Sequence, residues 1–281
     1  AQRREQEQEL QEAGKDVSYP SLDKLKEEDK EEDPYLVFQI TDTDGNVVRR
    51  LKAPAGKTGI QRITWDFRYP SSAPAKSGGT GHWALPGTYQ VQMFKYHQGE
   101  LASLTDKESF DIKFLHLNEL APKEREEVVA FQKKVADLRR AVRGANRYKN
   151  ELQDRIELLE AALVRAPEAE YSMKETMGSI KDRIYEWDQK LNGDDVKSRH
   201  QFPAKPGVSD RLGTIVWGLW NSSSAPTTTM QTQYSIAADD FGPMLKELRA
   251  ISRSVEKLES QLEESGAPYT PGRIPEWEKQ Q

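Results

Sequence analysis

Three stretches of this chain carry apolar residues at the alternating three- and four-residue spacing of a helical seam, which limits its folds more than any other feature. The first runs through Val128, Phe131, Val135, Leu138, Val142, Ala145, Leu152, Ile156, Leu159 and Leu163. The second holds Met173, Met177, Ile180, Ile184, Trp187 and Leu191. The third continues from Met230, Tyr234 and Ala237 through Phe241, Leu245, Leu248, Ile251, Val255, Leu258 and Leu262. Pro122 suits the first position of a helix, where its missing N–H costs nothing. Ala166-Pro167 and Asn192-Gly193 separate the stretches, and Gly266-Ala267-Pro268 stops the last. The third seam keeps its phase across Pro243, which argues for one helix kinked there rather than two. At ~1.5 Å per residue, Pro122–Val164 would be a rod of about 60 Å, weakened at Gly144 by about 1 kcal/mol relative to alanine. Three seams with short connections predict an antiparallel three-to-four-helix bundle with coiled-coil-like seams over residues 118–265. Val208–Trp220 reads as a short apolar helix wedged against it, and 266–281 as a C-terminal tail.

Before Pro122 the period is two. Leu36, Phe38 and Ile40 alternate with Tyr35, Val37 and Gln39, and Asp44-Gly45-Asn46 supplies a turn before the partner strand Val47–Leu51. Alternation over Ile60–Phe67 predicts a third strand, and Thr88–Tyr96 a further one after the turn Leu85-Pro86-Gly87. Phe110–Phe114 reads as the closing strand. The Ser/Gly/Pro-rich excursion from Tyr69 to His82 is expected to be mobile. Together these predict an antiparallel β-sandwich over 34–117, so the fold class is α+β and multidomain. Residues 1–33 form a charged segment: a helix over Ala1–Ala13 ended by Gly14, then a short one capped by Ser21.

In 281 residues, 36% are hydrophobic and 31% charged, a balance that suits long helices with wide solvated faces better than a thick α/β enzyme. The 41 basic and 46 acidic residues are mixed throughout, with no basic stripe, which argues against nucleic acid as a partner. With no cysteine, disulfides, thiolate metal sites and a Cys nucleophile are excluded. No apolar run approaches the roughly 18 residues of a membrane span. Ala1 is not followed by a charged-then-apolar leader, so either the protein is not exported or the sequence starts downstream of its leader.

No self-sufficient catalytic constellation emerges, and no catalytic, cofactor-binding or metal-binding residue is expected. His82, His97, His116 and His200 are widely spaced and form no helix-face pair. Asp42-x-Asp44-Gly45-Asn46 resembles the start of a calcium loop, but no glutamate follows at the twelfth position and a hairpin turn explains it. Gly78-Gly79-Thr80-Gly81 lies between strands rather than ahead of a helix, unlike a phosphate cradle. Asn221-Ser222-Ser223 matches a glycosylation acceptor by three residues only. The aromatic residues carry more. Trp217 and Trp220, with Tyr234 near them, either cap the helices where their ends converge or offer a surface for a protein or sugar. Trp65 reads as core, whereas Trp83 beside the excursion is a second candidate binding residue.

Four strings carry a family resemblance: Gly14-Lys-Asp-Val-Ser-Tyr-Pro20, Ile40-Thr-Asp-Thr-Asp-Gly-Asn-Val-Val-Arg-Arg-Leu51, Gly59-Ile-Gln-Arg-Ile-Thr-Trp-Asp-Phe-Arg-Tyr-Pro70 and Leu85-Pro-Gly-Thr-Tyr-Gln-Val91. In this order they resemble the C-terminal region of bacterial exported proteins with sortilin-like, BNR-repeat β-propellers, often labelled glycosyl hydrolase. The sandwich is similar to the Ig-like domain of the flagellar hook-cap protein. The resemblance implies a propeller ahead of residue 1; no Ser-x-Asp-x-Gly-x-x-Trp repeat occurs in this chain. It further implies that hydrolase chemistry would lie in that propeller, that no catalytic residue carries over, and that the location is periplasmic, cell-surface or extracellular. A non-enzymatic scaffold module partnering the propeller is the leading expectation. A glycan- or peptide-binding module assisting it is the alternative, and homo-oligomerisation through the helical seam a third.

Overall fold

The computed structural model describes residues 2–17, 19–55, 59–113, 122–222, 224–275 and 277. It is a mixed α+β architecture: among the described residues, one open antiparallel sheet of five strands and seven helices. The chain divides into two compact units, residues 1–65 with 88–111 and residues 66–87 with 112–281.

In the first unit, helices α1 (Gln2–Glu12) and α2 (Leu22–Glu28) precede strands β1 (Tyr35–Asp42) and β2 (Val47–Pro54). Ser21 Oγ accepts the Lys24 N–H and caps α2, the role its short polar side chain favours. The turn between β1 and β2 is closed by Asp42. Its Oδ1 accepts the Asp44 and Asn46 N–H groups at 3.0 and 2.8 Å, and Oδ2 accepts Asn46 Nδ2 at 3.0 Å. Gly45, at φ +85°, supplies the left-handed residue that the turn requires. The carboxylate that looked like a calcium ligand is thus occupied by its own backbone.

Strands β3 (Gly87–His97), β4 (Glu100–Ser103) and β5 (Glu108–Ile112) complete the sheet, in the order β2-β1-β3-β4 with β5 also paired to β3. The β1–β3 register places Tyr35 opposite Tyr96, and their rings stack at 4.7 Å with Lys52 Nζ 3.7 Å over Tyr35. Residues 60–67 are not a strand, contrary to their alternating pattern. They belong to none of the five strands of the described residues, and Ile60 is fully exposed. Alternation marks residues that could line a sheet face, but a strand also needs an edge to pair with. Trp65 reaches the sheet, edge-on to Tyr89 and Phe110. The closing strand lies two residues earlier than expected, and Phe114 is outside the described residues.

In the second unit, α3 (Pro122–Leu163), α4 (Met173–Asn192) and α7 (Thr228–Glu264) carry the three seams, with α5 (Asp195–Arg199) and α6 (Val208–Leu219) between α4 and α7. Helix α7 runs through Pro243 without interruption and packs against α3, α4 and α6; α3 also packs on α4 and α6. One apolar core joins the three seams, including Val135, Ile156, Ile184, Trp187, Ile215, Ile251 and Val255. Each fully buried Leu or Ile side chain contributes about 1.5–3 kcal/mol of transfer free energy, so packing rather than helix propensity holds the rods. Glu259 is buried, and its carboxylate accepts both arms of the Arg155 guanidinium at 2.8 and 2.6 Å. Lys149, also buried, pairs with Asp188 at 2.8 Å.

The excursion 66–87 belongs to this unit. Its composition suggests mobility, yet its two ends are laced together. Tyr69 N–H donates to the His82 carbonyl at 2.9 Å, and Ala84 N–H to the Phe67 carbonyl at 2.7 Å. His82, Ala84 and Leu85 are buried. At Gly81 the chain runs so close to itself that an added Cβ would lie 2.2 Å from the Tyr69 carbonyl oxygen.

Candidate functional site

The C-terminal end of α6 places its two tryptophans in opposite environments. Trp220, the residue that caps the helix, is 4% exposed and belongs to the core, whereas Trp217 is 77% exposed. A large aromatic left in water forfeits the transfer free energy that burial would supply, so an isolated Trp at this exposure marks a surface that a partner can cover.

Trp217 stands over an open cleft of about 600 Å³. Leu219, Ala225 and Met230 give the cleft apolar contacts, and Asn221, Ser222 and Ser224 give it polar ones. Local hydrogen bonds fix this wall. Asn221 Nδ2 donates to the Trp217 carbonyl at 2.9 Å, Ser224 N–H to Ser222 Oγ at 3.0 Å, and Thr227 Oγ1 accepts the Met230 N–H that opens α7. Gly218 keeps the floor low, since an added Cβ there would meet the Met230 methyl at 2.5 Å. Ser223, the third residue of the glycosylation match, lies outside the described residues.

The other aromatic candidates lie elsewhere. Tyr234 is half-buried and edge-on to Phe131, part of the packing between α3 and α7. Trp83 is 37% exposed, with the Arg68 guanidinium 3.7 Å over its ring. Arg68 also ties the excursion to α6, donating Nη1 to the carbonyls of Gly81 and Trp220 at 3.0 and 3.4 Å. The structure therefore brings Trp83 and Trp220 to one arginine, while Trp217 and Tyr234 stay outside that contact.

Around Trp220 a group of residues appears that the linear pattern did not single out. Tyr69 stacks on His82 at 4.3 Å, His82 lies 6.2 Å from the Trp220 ring, and Arg139 of α3 lies 4.5 Å over that ring. Burial lowers the pKa of His82, partly opposed by the hydrogen bond from Nδ1–H to the Trp83 carbonyl, which favours the imidazolium. Burial, then repulsion from Arg143, pushes Arg139 down to about 10.

A larger cleft of about 1210 Å³ lies between α4, α6 and α7, with Trp187 and Pro243 among its walls. Arg183, Lys190, Lys197, Lys205 and Arg211 line it, but so do Glu186, Asp194, Asp239, Asp240 and Glu247. Two of these acids are already engaged, Glu247 by Arg183 at 2.8 Å and Asp194 by Lys197 at 3.2 Å. The cleft is therefore charge-balanced and offers no net field to gather an ionic substrate.

Among the described residues, no group of three or more His, Asp or Glu side chains is placed to hold a metal ion. No helix among the described residues is long and apolar enough to cross a membrane. His116 lies outside the described residues. The chain matches no family model, no curated protein and no solved structure.

Proposed function

We propose that this chain is a non-enzymatic scaffold module that docks another protein through the Trp217 surface. The observation that carries this reading is the 77% exposure of Trp217 above a wall of Leu219, Ala225 and Met230. A rigid indole beside a flexible Met is the chemistry of a peptide side-chain pocket. In this reading the sheet is the core of an Ig-like sandwich and the helices form an antiparallel bundle. The sequence strings that resemble exported propeller proteins supply the setting: an exported bacterial protein whose partner is a β-propeller.

The test is an array of peptides spanning candidate propeller surfaces, probed with the wild type and with Trp217→Ala. Retention by the wild type, reduced roughly tenfold or more in the variant, is the expected result. Equal retention by both would sink the assignment. A glycan-binding reading is favoured by one observation, the hydroxyls and amide of Asn221, Ser222 and Ser224 around the ring, since sugars pair an apolar face with hydroxyls. The same Trp217→Ala comparison on a glycan array separates the two readings.

A further inference from the structure

We propose that Arg139, Arg143 and the Ser71–Gly81 segment form a binding site for a tetrahedral oxyanion, a phosphate or sulfate group. Arg139 and Arg143 are four residues apart, hence on one face of α3, where like charges repel. Neither has an ion-pair partner among the described residues. The nearby acids on the helix are committed, Asp137 to Arg140 and Glu151 to Arg147. A chain that holds two guanidinium groups together beside a buried aromatic, without a carboxylate between them, has left the place of an anion open.

Trp220 and the Ser71–Gly81 segment contribute further donors. Trp220 Nε1–H is buried and has no acceptor, and the buried Ser72 hydroxyl likewise has no partner. Ser71 Oγ accepts the Ala73 N–H at 3.1 Å, which leaves its own proton to donate. Gly79, at φ +131°, brings the excursion against Arg143. A Cβ added there would lie 3.0 Å from Ser71 Oγ and 3.8 Å from Arg143 Nη1, so the absence of a side chain keeps these two groups facing a common space. The carbonyls of Gly81 and Trp220 already accept from Arg68. Donors from two elements, two of them forked guanidinium groups, suit an oxyanion with acceptor atoms in several directions better than a planar carboxylate. The site is separate from the Trp217 cleft and stands without the docking reading.

Thermal melting of the whole chain in sodium sulfate, sodium phosphate and sodium acetate, each matched in ionic strength with sodium chloride, tests the site. Sulfate or phosphate is expected to raise the midpoint saturably by about 3 °C over chloride. Response to one anion alone identifies the ester class, and either supports the site. Arg143→Gln and Arg139→Gln should each lower the apparent affinity roughly tenfold or more, whereas Arg140→Gln, on the exposed pair with Asp137, should keep it. In chloride alone, Arg143→Gln should melt no lower than the wild type, because it removes a repulsion. An anion response equal to that of acetate, or one that survives in both Arg139→Gln and Arg143→Gln, would overturn the proposal. So would an Arg143→Gln protein that melts well below the wild type in chloride, since the arginine would then be a structural contact.

Discussion

Trp187 Nε1–H donates to the Met244 carbonyl at 2.8 Å, with the indole 1% exposed, one residue beyond the proline inside α7. Pro243 has no N–H, so the Asp239 carbonyl four residues earlier lacks its helical donor, and the helix is held at this point by side-chain packing instead. Trp187→Phe should lower the unfolding free energy by about 2 kcal/mol, from the lost hydrogen bond and the space left by the smaller ring. Urea denaturation followed by circular dichroism checks this; a loss under about 0.5 kcal/mol would show that α7 does not depend on the contact.

The Arg155–Glu259 pair is buried on the glutamate side, with Arg273 also approaching Glu259 at 3.9 Å. The Glu259 carboxylate raises the pKa of Arg155, first through the hydrogen bond. Truncating Arg155 to Ala leaves a buried carboxylate without its main partner and is expected to cost about 3–5 kcal/mol. Replacing both residues with apolar ones of similar size (Arg155→Met, Glu259→Leu) should recover much of the loss. A double variant as unstable as the single one would contradict this account.

His82 gives the protein a defined acid response. Its folded pKa lies below the ordinary 6.5 because burial disfavours the imidazolium, so between the two values the unfolded chain binds more protons than the folded one. The stability owed to the neutral ring is present above about pH 6.5 and is lost as the pH falls through the lower folded value. His82→Gln should flatten this segment of the stability-versus-pH curve, measured by urea midpoints. An unchanged slope would place the acid sensitivity elsewhere.

Gly78 and Gly81 are three residues apart and should respond oppositely to alanine. At Gly78 an added Cβ meets nothing within 4 Å, whereas at Gly81 it meets the Tyr69 and Pro70 carbonyl oxygens at 2.2 and 2.6 Å. Gly81→Ala must separate the two ends of the excursion and should expose it to limited proteolysis. Gly78→Ala should leave the cleavage rate within about twofold of the wild type, the size expected of a surface change. Equal cleavage in both variants would mean that the laced ends do not hold the segment.

Trp217→Ala should leave the denaturation midpoint nearly unchanged, within about 0.5 kcal/mol, because its ring is exposed. Together with lost peptide retention, that separates a docking role from a packing one. A loss of several kcal/mol would return Trp217 to the core.

The helical seams were legible because burial repeats with the helix. Val128, Val135, Val142, Leu152, Ile156 and Leu159 are all buried at the positions their spacing gives. The strand-rich part was legible only where the chain pairs with a near neighbour. The turn at Asp42–Asn46 followed from residue type, while β4 escaped notice because all four of its residues are exposed and carry no apolar alternation. Residues 60–67 had the alternation but join none of the strands among the described residues. The anchoring of the excursion's ends was not legible, because it comes from Arg68 and His82 reaching residues far along the chain. At the candidate surface, the type of residue was visible in Trp217 and Trp220, but which one would meet water depends on where α6 ends. Arg139 and Arg143 carry no sequence signal of their own; what singles them out is the Trp220 ring beneath Arg139, a contact between distant parts of the chain.

Helix α7 touches each of α3, α4 and α6, and it is unbroken from Thr228 to Glu264. All three neighbours therefore bury their apolar faces against one continuous helix, and a change that unwinds it would open the whole core of this unit to water.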